Sequence, residues 1–218
     1  MTTFDPATPT AIGSVSARLR AATAVAHERA EGSAFVEQLL GGRLDVAAYY
    51  AMAAQLYFVY DELEIVGDGL HHDRVGGAVH DERLRRAPRL LADLTELGIG
   101  AEDMVPLPAT LAYVAQIRAT AGDPVAFVAH HYTRYLGDLS GGQVIRSRMK
   151  LHYGLADGAL SFYVFDGIDK LKLFKDDYRA TLDGLELTEP DIIRLLDEAV
   201  RAFESNEALF AELGERLP

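Results

Sequence analysis

Apolar residues recur along most of this chain at intervals of three and four, which is the spacing of one face of an α-helix. The longest such run, DVAAYYAMAAQLYFVYDELEIV, begins at Asp45 and keeps its apolar and aromatic residues at helical spacing throughout. No segment alternates apolar and polar residues in the way that is typical of a half-buried β-strand. The pattern therefore predicts an all-α protein.

Capping residues and helix breakers divide this pattern into separate helices. Ser14 or Ser16 can cap a first helix, and Pro88 and Pro108 suit the first turns of two later ones. Asp123, followed by proline, marks a further start. The stretch GDGLHHDRVGG after the long run is typical of a loop. We predict helices over residues 14–31, 33–40, 45–66, 87–98, 108–122, 124–154, 167–183 and 188–213.

The chain has no internal repeat and no linker rich in proline, glycine or serine that would divide two domains. We therefore expect one helical domain over residues 14–218, preceded by a flexible segment over residues 1–13. With 218 residues, 49% of them hydrophobic, the chain can bury a sizeable core. A set of packed helices of this kind can enclose a cofactor.

Charge and terminal sequences narrow the functional classes. The N-terminus lacks a secretory signal, and no segment approaches the roughly 18 apolar residues of a membrane span. A whole, soluble, cytoplasmic protein without a membrane anchor is therefore expected. A net charge of −12 argues against binding to nucleic acid. Residues 146–150 and 169–179 concentrate positive charge, which fits solvated helix faces or a site for an anionic ligand or acidic partner.

Any metal site must use histidine or carboxylate, because the chain has no cysteine. His130 and His131 are adjacent and point to different sides of their helix, so they cannot both bind one metal. His27 lies among alanines that leave room for a broad, flat group, and Glu31 one turn later could accept a hydrogen bond from its ring. A single helical histidine is more often structural, so both interpretations stay open on this pattern alone.

The helix predicted over residues 124–154 contains three glycines in its interior, at positions 137, 141 and 142, each costing about 1 kcal/mol relative to alanine. Gly137 and Gly141 share one face. Two interpretations fit these glycines: close packing against another helix, or a flat ligand pressed against a bent helix. A phosphate-binding loop is disfavoured, because GDLSGGQ lacks the lysine that such a loop requires. Asp138 can pair with Arg134 on the helix surface. A buried aspartate at this position would instead indicate a functional role.

The segment HYTRYLGDLSGGQVI closely resembles the distal-helix signature of heme oxygenases. The resemblance runs from ARLRAATAVAHERAEGSAF through FKDDYRATLDGLEL to AFESNEALF, and is strongest to the soluble bacterial members. It implies a single all-α domain with heme between a proximal helix and a bent, glycine-rich distal helix. It also implies cleavage of heme by O₂ and supplied electrons, yielding biliverdin, carbon monoxide and ferrous iron.

The resemblance implies roles for individual residues. His27 matches the proximal ligand of the heme iron, and Glu31 matches the acidic residue that orients it. Gly137 and Gly141 match glycines at the heme face, and Asp138 matches the distal carboxylate that holds a water network near the oxygen site. The other matches are Arg134 and Tyr60 in that network, Tyr132, Lys175 and Arg179 around the heme propionates, and Phe203 as an aromatic neighbour of heme.

Two departures from the family pattern bear on the heme pocket. Arg20 lies where lysine is more usual; arginine keeps the charge and can bind a propionate bidentately. Because propionate anchoring sets the rotation of the heme, Arg20 is the position on which the α isomer of biliverdin, implied by the resemblance, depends. Glu204 and Ser205 make the final helix more polar than usual.

Electrons are expected from a separate ferredoxin or reductase, because the chain has no flavin- or nicotinamide-binding motif. The main alternative is a heme carrier that uses the same pocket without turnover; Asp138, Gly137 and Gly141 argue against it. A thiaminase-like hydrolase on the same scaffold would need a nucleophile, usually a cysteine, which is absent. A purely structural helical protein would leave the proximal and distal motifs without a purpose.

Overall fold

The computed structural model describes residues 13–216, except for the side chain of Glu31. Of the segment 1–13, which was predicted to be flexible, only Gly13 is among the described residues. The assignment of residues 14–218 to a single domain stays a prediction. The described residues form helices and loops without a β-strand, which confirms the all-α class. The helices are α1 (Val15–Glu31), α2 (Ala34–Leu40), α3 (Val46–Leu70), α4 (Ala87–Glu96), α5 (Pro108–Ala119), α6 (Pro124–His131), α7 (Gly137–Tyr153), α8 (Leu171–Asp183) and α9 (Glu189–Arg216), with a π-helical turn, Tyr132–Leu136, joining α6 to α7.

Helix ends lie close to where capping chemistry predicted them. The side chains of Ser14, Asp45 and Asp123 accept hydrogen bonds from first-turn amides of α1, α3 and α6. Gly154 ends α7 in the left-handed region, at φ +67°, where glycine is favoured. Of the two serines that could start α1, Ser14 is the cap, whereas Ser16 binds the carboxylate of Asp183 through its amide (2.7 Å) and hydroxyl (3.0 Å).

Helix α3 ends later than predicted. The predicted loop begins at residue 67, but α3 continues as helix to Leu70 through Gly67 and Gly69. A Cβ atom on Gly67 would lie 3.1 Å from the ring of Phe127, so α6 packs against the bare backbone there. Tertiary packing thus outweighs the intrinsic cost of glycine in a helix. Helix α8 also begins later than predicted, at Leu171, and α9 extends to Arg216.

The core forms where α3, α5, α6 and α9 pack together, and α9 also lies along α1. Its largest fully buried side chains are aromatic: Tyr49, Tyr60, Tyr113, Phe127 and Phe162. Such residues bury the most apolar surface and therefore contribute most to stability. Among the helices of residues 13–216, none combines the length and the apolar character needed to cross a bilayer. The arrangement leaves a cleft between α1 and the segment from Tyr132 into α7.

Candidate functional site

The cleft consists of two connected cavities with volumes of about 900 and 370 Å³. The larger one forms the mouth and the smaller one the inner end. Both are lined by His27 of α1, Gly137 of α7 and Phe203 of α9. Three helices that are distant in sequence therefore contribute to one site. Each cavity has a volume within the range of roughly 300–1,000 Å³ that is usual for cofactor-binding pockets.

His27 lies on the α1 wall and is exposed to the cleft. Its ring packs edge-on against Phe203, with 5.5 Å between the ring centroids and 63° between the planes. Ala21 and Ala24 line the same wall, so the small residues predicted to leave room beside His27 do face the cavity. The orienting role predicted for Glu31 concerns a side chain outside the described part of the structure.

The glycines of α7 divide into two kinds. A Cβ atom built on Gly137 or Gly141 would have no neighbouring atom within 4 Å, so these positions face open space in the cleft. Gly142 is different, because its Cβ would lie 3.1 Å from Cδ1 of Tyr163. Helix packing, one explanation for the glycine-rich sequence, therefore applies to Gly142 and not to the other two. Gly137 and Gly141 leave backbone bare for a ligand.

This difference predicts opposite effects on the stability of the unliganded protein. Gly137→Ala should raise the free energy of unfolding by about 0.5–1 kcal/mol, because alanine is the better helix former and meets nothing. Gly142→Ala gains the same propensity but presses on the buried Tyr163, so it should be less stable than Gly137→Ala by about 1 kcal/mol or more. Urea denaturation of both variants measures the difference; equal stabilities would contradict the two environments described here.

The helix predicted over residues 124–154 departs from α-helical geometry one turn before the glycines. Residues Tyr132–Leu136 form a π-helical turn, whereas Gly137–Tyr153 is regular α-helix. The predicted helix over residues 124–154 is therefore present as α6, the π-helical turn and α7, and its irregularity lies N-terminal to the glycines. π-turns of this kind occur frequently at functional sites. This one carries Arg134 toward the protein interior, where the residue is 7% exposed.

A buried polar cluster lies behind Gly137. Asp138 is 9% exposed, and its Oδ2 accepts a hydrogen bond from the hydroxyl of Tyr60 on α3. The Nε and Nη2 atoms of Arg134 donate to the same hydroxyl oxygen, at 3.1 and 2.9 Å, and its Nη1 donates to Oδ1 of Asn206 at 2.7 Å. Of the two interpretations of Asp138, the surface pair with Arg134 is thus excluded, because the two groups lie 3.8 Å apart in the interior.

Burial governs the protonation of this cluster. It raises the pKa of the Asp138 carboxyl, while the guanidinium of Arg134, the hydrogen bond from Tyr60 and the charge of Arg86 act in the opposite direction. Burial also raises the pKa of the Tyr60 phenol, so Tyr60 stays a hydrogen-bond donor at neutral pH. Asp138 lines the inner cavity, with Oδ2 bound to Tyr60 and Oδ1 beside the Arg134 guanidinium.

Positive charge surrounds the mouth of the cleft. Three of the residues that the resemblance assigns to the propionates, Arg20, Tyr132 and Arg179, line the larger cavity. Burial raises the pKa of the Tyr132 phenol, opposed by a hydrogen bond with Thr23 and by the two arginines. Lys175 contacts the rim indirectly, through a hydrogen bond from Nζ to Oγ of Ser140 at 3.2 Å. The mouth therefore suits an anionic group, whereas the inner end is mostly apolar.

Sequence reasoning missed most of the inner end. Asn206 anchors Arg134 and lies one helical turn after Phe203, so the periodicity of α9 could have indicated it. The apolar wall comes from elements that carry no motif, and no sequence signal singles them out. Its members include Leu39, Met52, Leu56, Ile145, Phe162, Tyr163 and Phe210.

The other histidines lie away from the cleft. His130 contacts Glu198, with 2.9 Å between Nε2 and Oε1, whereas His131 shares a hydrogen bond with Tyr178, with 2.7 Å between Nδ1 and the hydroxyl oxygen. They point to different helices, as predicted. Burial lowers the pKa of His131 to about 3, so its ring is neutral under ordinary conditions.

One surface group of potential metal ligands, which the sequence did not indicate, lies near the end of α3. Asp68, His80 and Glu82 place ligand atoms within 4.8 Å of one another. The guanidinium of Arg85 forms ion pairs with both carboxylates, at 2.7 Å from Glu82 and in close contact with Asp68. Because a bound cation would have to displace Arg85, we assign no metal to this group.

Comparison with known proteins identifies a family with the same architecture. Residues 13–212 match the family described as heme oxygenase. The heme oxygenase of Pyropia yezoensis is 38% identical over 207 residues, which cover 93% of this chain and 87% of that protein. Heme oxygenase 1 of a Nostoc species is 37% identical over 200 residues, covering 90% and 84% of the two chains.

Solved structures agree with this match. The crystal structure of heme oxygenase-1 from the cyanobacterium Synechocystis, in complex with heme, superposes with a TM-score of 0.88 at 33% identity. The superposition covers 93% of each chain. The predicted helical architecture is thereby confirmed at the level of the whole fold.

Proposed function

The chain belongs to the heme oxygenase family, and on that basis we propose that it cleaves heme with O₂ and externally supplied electrons. The products are biliverdin, carbon monoxide and ferrous iron. One observation carries the proposal: His27 and the bare backbone of Gly137 line the same cleft, with the buried carboxylate of Asp138 at its inner end. Bound heme supplies both the iron that activates O₂ and the ring that is opened.

The cleft fits heme in shape and chemistry. Alanines beside His27 and open Cβ positions at Gly137 and Gly141 leave a flat space between two helices. An imidazole on one wall supplies an iron ligand, and we assign that role to His27. Phe203 holds the edge of the His27 ring, and Glu31 is proposed to orient the same ring. The apolar inner end and the positive mouth match the two unlike edges of the macrocycle.

On the distal side, Asp138 is proposed to hold water beside the oxygen-binding position. Tyr60 binds Oδ2 of Asp138 and Arg134 binds Tyr60, so the carboxylate is held in place at the inner cavity, which Asp138 lines. A water bound there can pass protons to the reacting oxygen; a positioned acid–base group of this kind contributes about 10²–10⁴-fold in rate. The bare glycine backbone offers no side chain that the reaction could oxidise.

At the mouth, Arg20, Tyr132, Lys175 and Arg179 are proposed to bind the heme propionates. Two guanidinium groups can each bind a carboxylate bidentately, whereas lysine acts as a single point charge. This anchoring would hold the heme in one rotation and give the α isomer of biliverdin. The same positive rim is proposed to dock an acidic electron donor, a separate ferredoxin or reductase, although the whole chain carries a net charge of −12.

A substitution at Arg20 tests the propionate assignment. Arg20→Gln should lower heme affinity only modestly, by up to about fivefold, since an exposed ion pair is worth roughly 0–1 kcal/mol. It should also produce a second biliverdin isomer, because one rotational anchor is lost. Chromatography of the pigment measures the isomers. Arg29→Gln is the matched control on the same helix, since Arg29 pairs with Glu207 (3.2 Å) away from the mouth. A single unchanged isomer from Arg20→Gln would contradict the assignment.

The alternative is a heme carrier without turnover. A carrier needs the iron ligand and the cleft but not a carboxylate buried on the opposite side, whose ionisation burial disfavours. A single-turnover experiment separates the two functions: hemin is bound to the purified protein, reductant and oxygen are added, and pigment and carbon monoxide are identified. We expect biliverdin with carbon monoxide. A stable ferrous–oxy spectrum without ring opening, even with a competent electron donor, would favour the carrier.

A further inference from the structure

A short turn, Ser161–Tyr163, forms part of the inner wall of the cleft. The ring of Phe162 packs edge-on against Tyr60, with 5.4 Å between the ring centroids. Tyr163 lies against Gly142, and its carbonyl accepts a hydrogen bond from Gln143 at 2.7 Å. The turn therefore contacts both the distal cluster and the glycine-bearing helix, so any shift of this turn would reshape the inner end.

Two buried charged side chains hold this turn, although neither lines the cleft. Asp93 of α4 is 1% exposed, and its two oxygens accept the amides of Ser161 (2.9 Å) and Phe162 (2.8 Å). Arg86, at the start of α4, is 2% exposed, and its Nη1 donates to the carbonyls of Phe162 (2.8 Å) and Val164 (2.7 Å). One charge fixes the amides of the turn, and the other fixes its carbonyls.

Arg86 and Asp93 are unusual because, in the part of the chain that the structure describes, they are buried charged side chains that are not paired with an opposite charge. Within residues 13–216, neither Arg86 nor Asp93 forms an ion pair in which the opposite charge would offset its burial. The other donors of Arg86 bind the carbonyls of Leu84 (2.9 Å) and Arg83 (3.0 Å). Burying a charge is costly unless it is fully hydrogen-bonded, and charge-assisted bonds are shorter and stronger than neutral ones. The result is a turn held much more rigidly than a surface loop.

We propose that Arg86 and Asp93 are positioning residues that hold Phe162 and Tyr163 as a rigid wall and so fix where heme lies in the cleft. This inference rests on the proposed function. The anchors at the mouth are long side chains, of which Arg20 is exposed, and they can follow a heme that shifts. The apolar edge of a bound macrocycle would contact the inner wall, whose backbone is held by Arg86 and Asp93 and so does not move with the heme. Together with the propionate anchors, the wall therefore sets how firmly heme is held and which edge carbon faces Asp138.

The first test uses Asp93→Asn, which keeps the volume of the side chain but removes the charge and one amide acceptor. Two quantities are measured: the rate of heme transfer to excess apomyoglobin, which needs no turnover, and the isomers of biliverdin after a single turnover. We expect heme release to be about tenfold faster, as for the loss of a hydrogen bond to a charged group, together with a second isomer.

Asp73→Asn is the matched control. Asp73 likewise accepts two backbone amides, those of Val75 (2.8 Å) and Gly76 (2.9 Å), in a loop that lines no part of the cleft. We expect this variant to release heme at the wild-type rate and to give the wild-type isomer. Phe162→Leu, which alters the wall directly, should change both quantities in the same direction as Asp93→Asn.

Defined outcomes would overturn the inference. If Asp93→Asn behaves as Asp73→Asn does in both measurements, α4 does not position the wall. If Asp93→Asn fails to fold, Arg86→Lys serves in its place, because it keeps the charge but cannot reach every carbonyl. In the wild-type apoprotein, rapid hydrogen exchange at the amides of Ser161 and Phe162 would overturn the inference without any variant. Failure of the proposed function is distinguishable, because wild type would then yield no biliverdin while heme release still reports on the wall.

Discussion

Replacing His27 by alanine is expected to abolish ring opening and to weaken heme binding by more than about 100-fold. Removing a group that merely hydrogen-bonds to a metal-binding histidine already lowers metal affinity or activity roughly 10–100-fold, so loss of the ligand itself should exceed that. The apoprotein should still fold, since alanine is the better helix former by up to about 0.7 kcal/mol, which offsets part of the lost contact with Phe203. Absorption spectra of the hemin complex, heme titration and a single turnover measure these effects.

Chemical rescue can show that these losses in His27→Ala result from the missing imidazole. Added imidazole can occupy the space left by the ring and bind the iron, so it should restore part of the spectrum and part of the turnover in His27→Ala. His72→Ala is the control, because His72 is exposed in the loop after α3 and does not line the cleft. An unchanged heme spectrum in His27→Ala would show that the iron ligand is another residue.

Replacing Asp138 by asparagine is expected to leave heme bound but to slow ring opening by about 10²–10⁴-fold, the usual contribution of a positioned acid–base group. Asparagine keeps the shape and can still accept the hydrogen bond from Tyr60, but it cannot hold the same protonated water network. Asp61→Asn, one residue after Tyr60 on α3, is the matched control outside the cleft. A normal yield of biliverdin from Asp138→Asn would contradict the assigned role.

The same variant should be more stable than wild type at neutral pH. Because burial raises the pKa of Asp138 in the folded protein, the folded state binds the proton more tightly than the unfolded state does. Its ionisation therefore destabilises the fold as pH rises above the ordinary value of 3.8. Asp138→Asn removes this effect, so its advantage in melting temperature should be present at pH 7 and shrink below about pH 4. A constant difference across that range would contradict the direction of the shift.

The positions of these two residues illustrate a general exchange between stability and activity. His27 occupies a helix where alanine would be more favourable, and Asp138 occupies an interior where a neutral group would be. Gly137 and Gly141 lower helix stability for the sake of a bare surface. A site that activates oxygen beside its own backbone therefore requires residues that the fold alone would not favour.

Much of the local structure followed from the sequence. Helical periodicity predicted the all-α class, and Ser14, Asp45 and Asp123 predicted helix starts, because capping involves residues only two or three positions apart. The absence of cysteine limited the metal ligands to histidine and carboxylate. The motif around Asp138 indicated the family. Where α3 ends was not predictable, since packing of Phe127 against Gly67 outweighed local propensity.

The chemistry of the site depended on contacts that local patterns do not encode. Sequence spacing put Arg134 and Asp138 within reach of each other on one helix, but did not decide whether the pair is on the surface. In the structure both are buried, where Asp138 binds Tyr60, 78 residues away, and Arg134 binds Asn206, 72 residues away. Likewise, only the fold distinguishes Gly137, which faces the cleft, from Gly142, which packs against Tyr163. The sequence by itself determined the helices, their caps and the residues able to react, because these depend on neighbours within one turn. Burial, and with it protonation and the shape of the inner wall, was decided by the tertiary structure, because it depends on which distant helices meet.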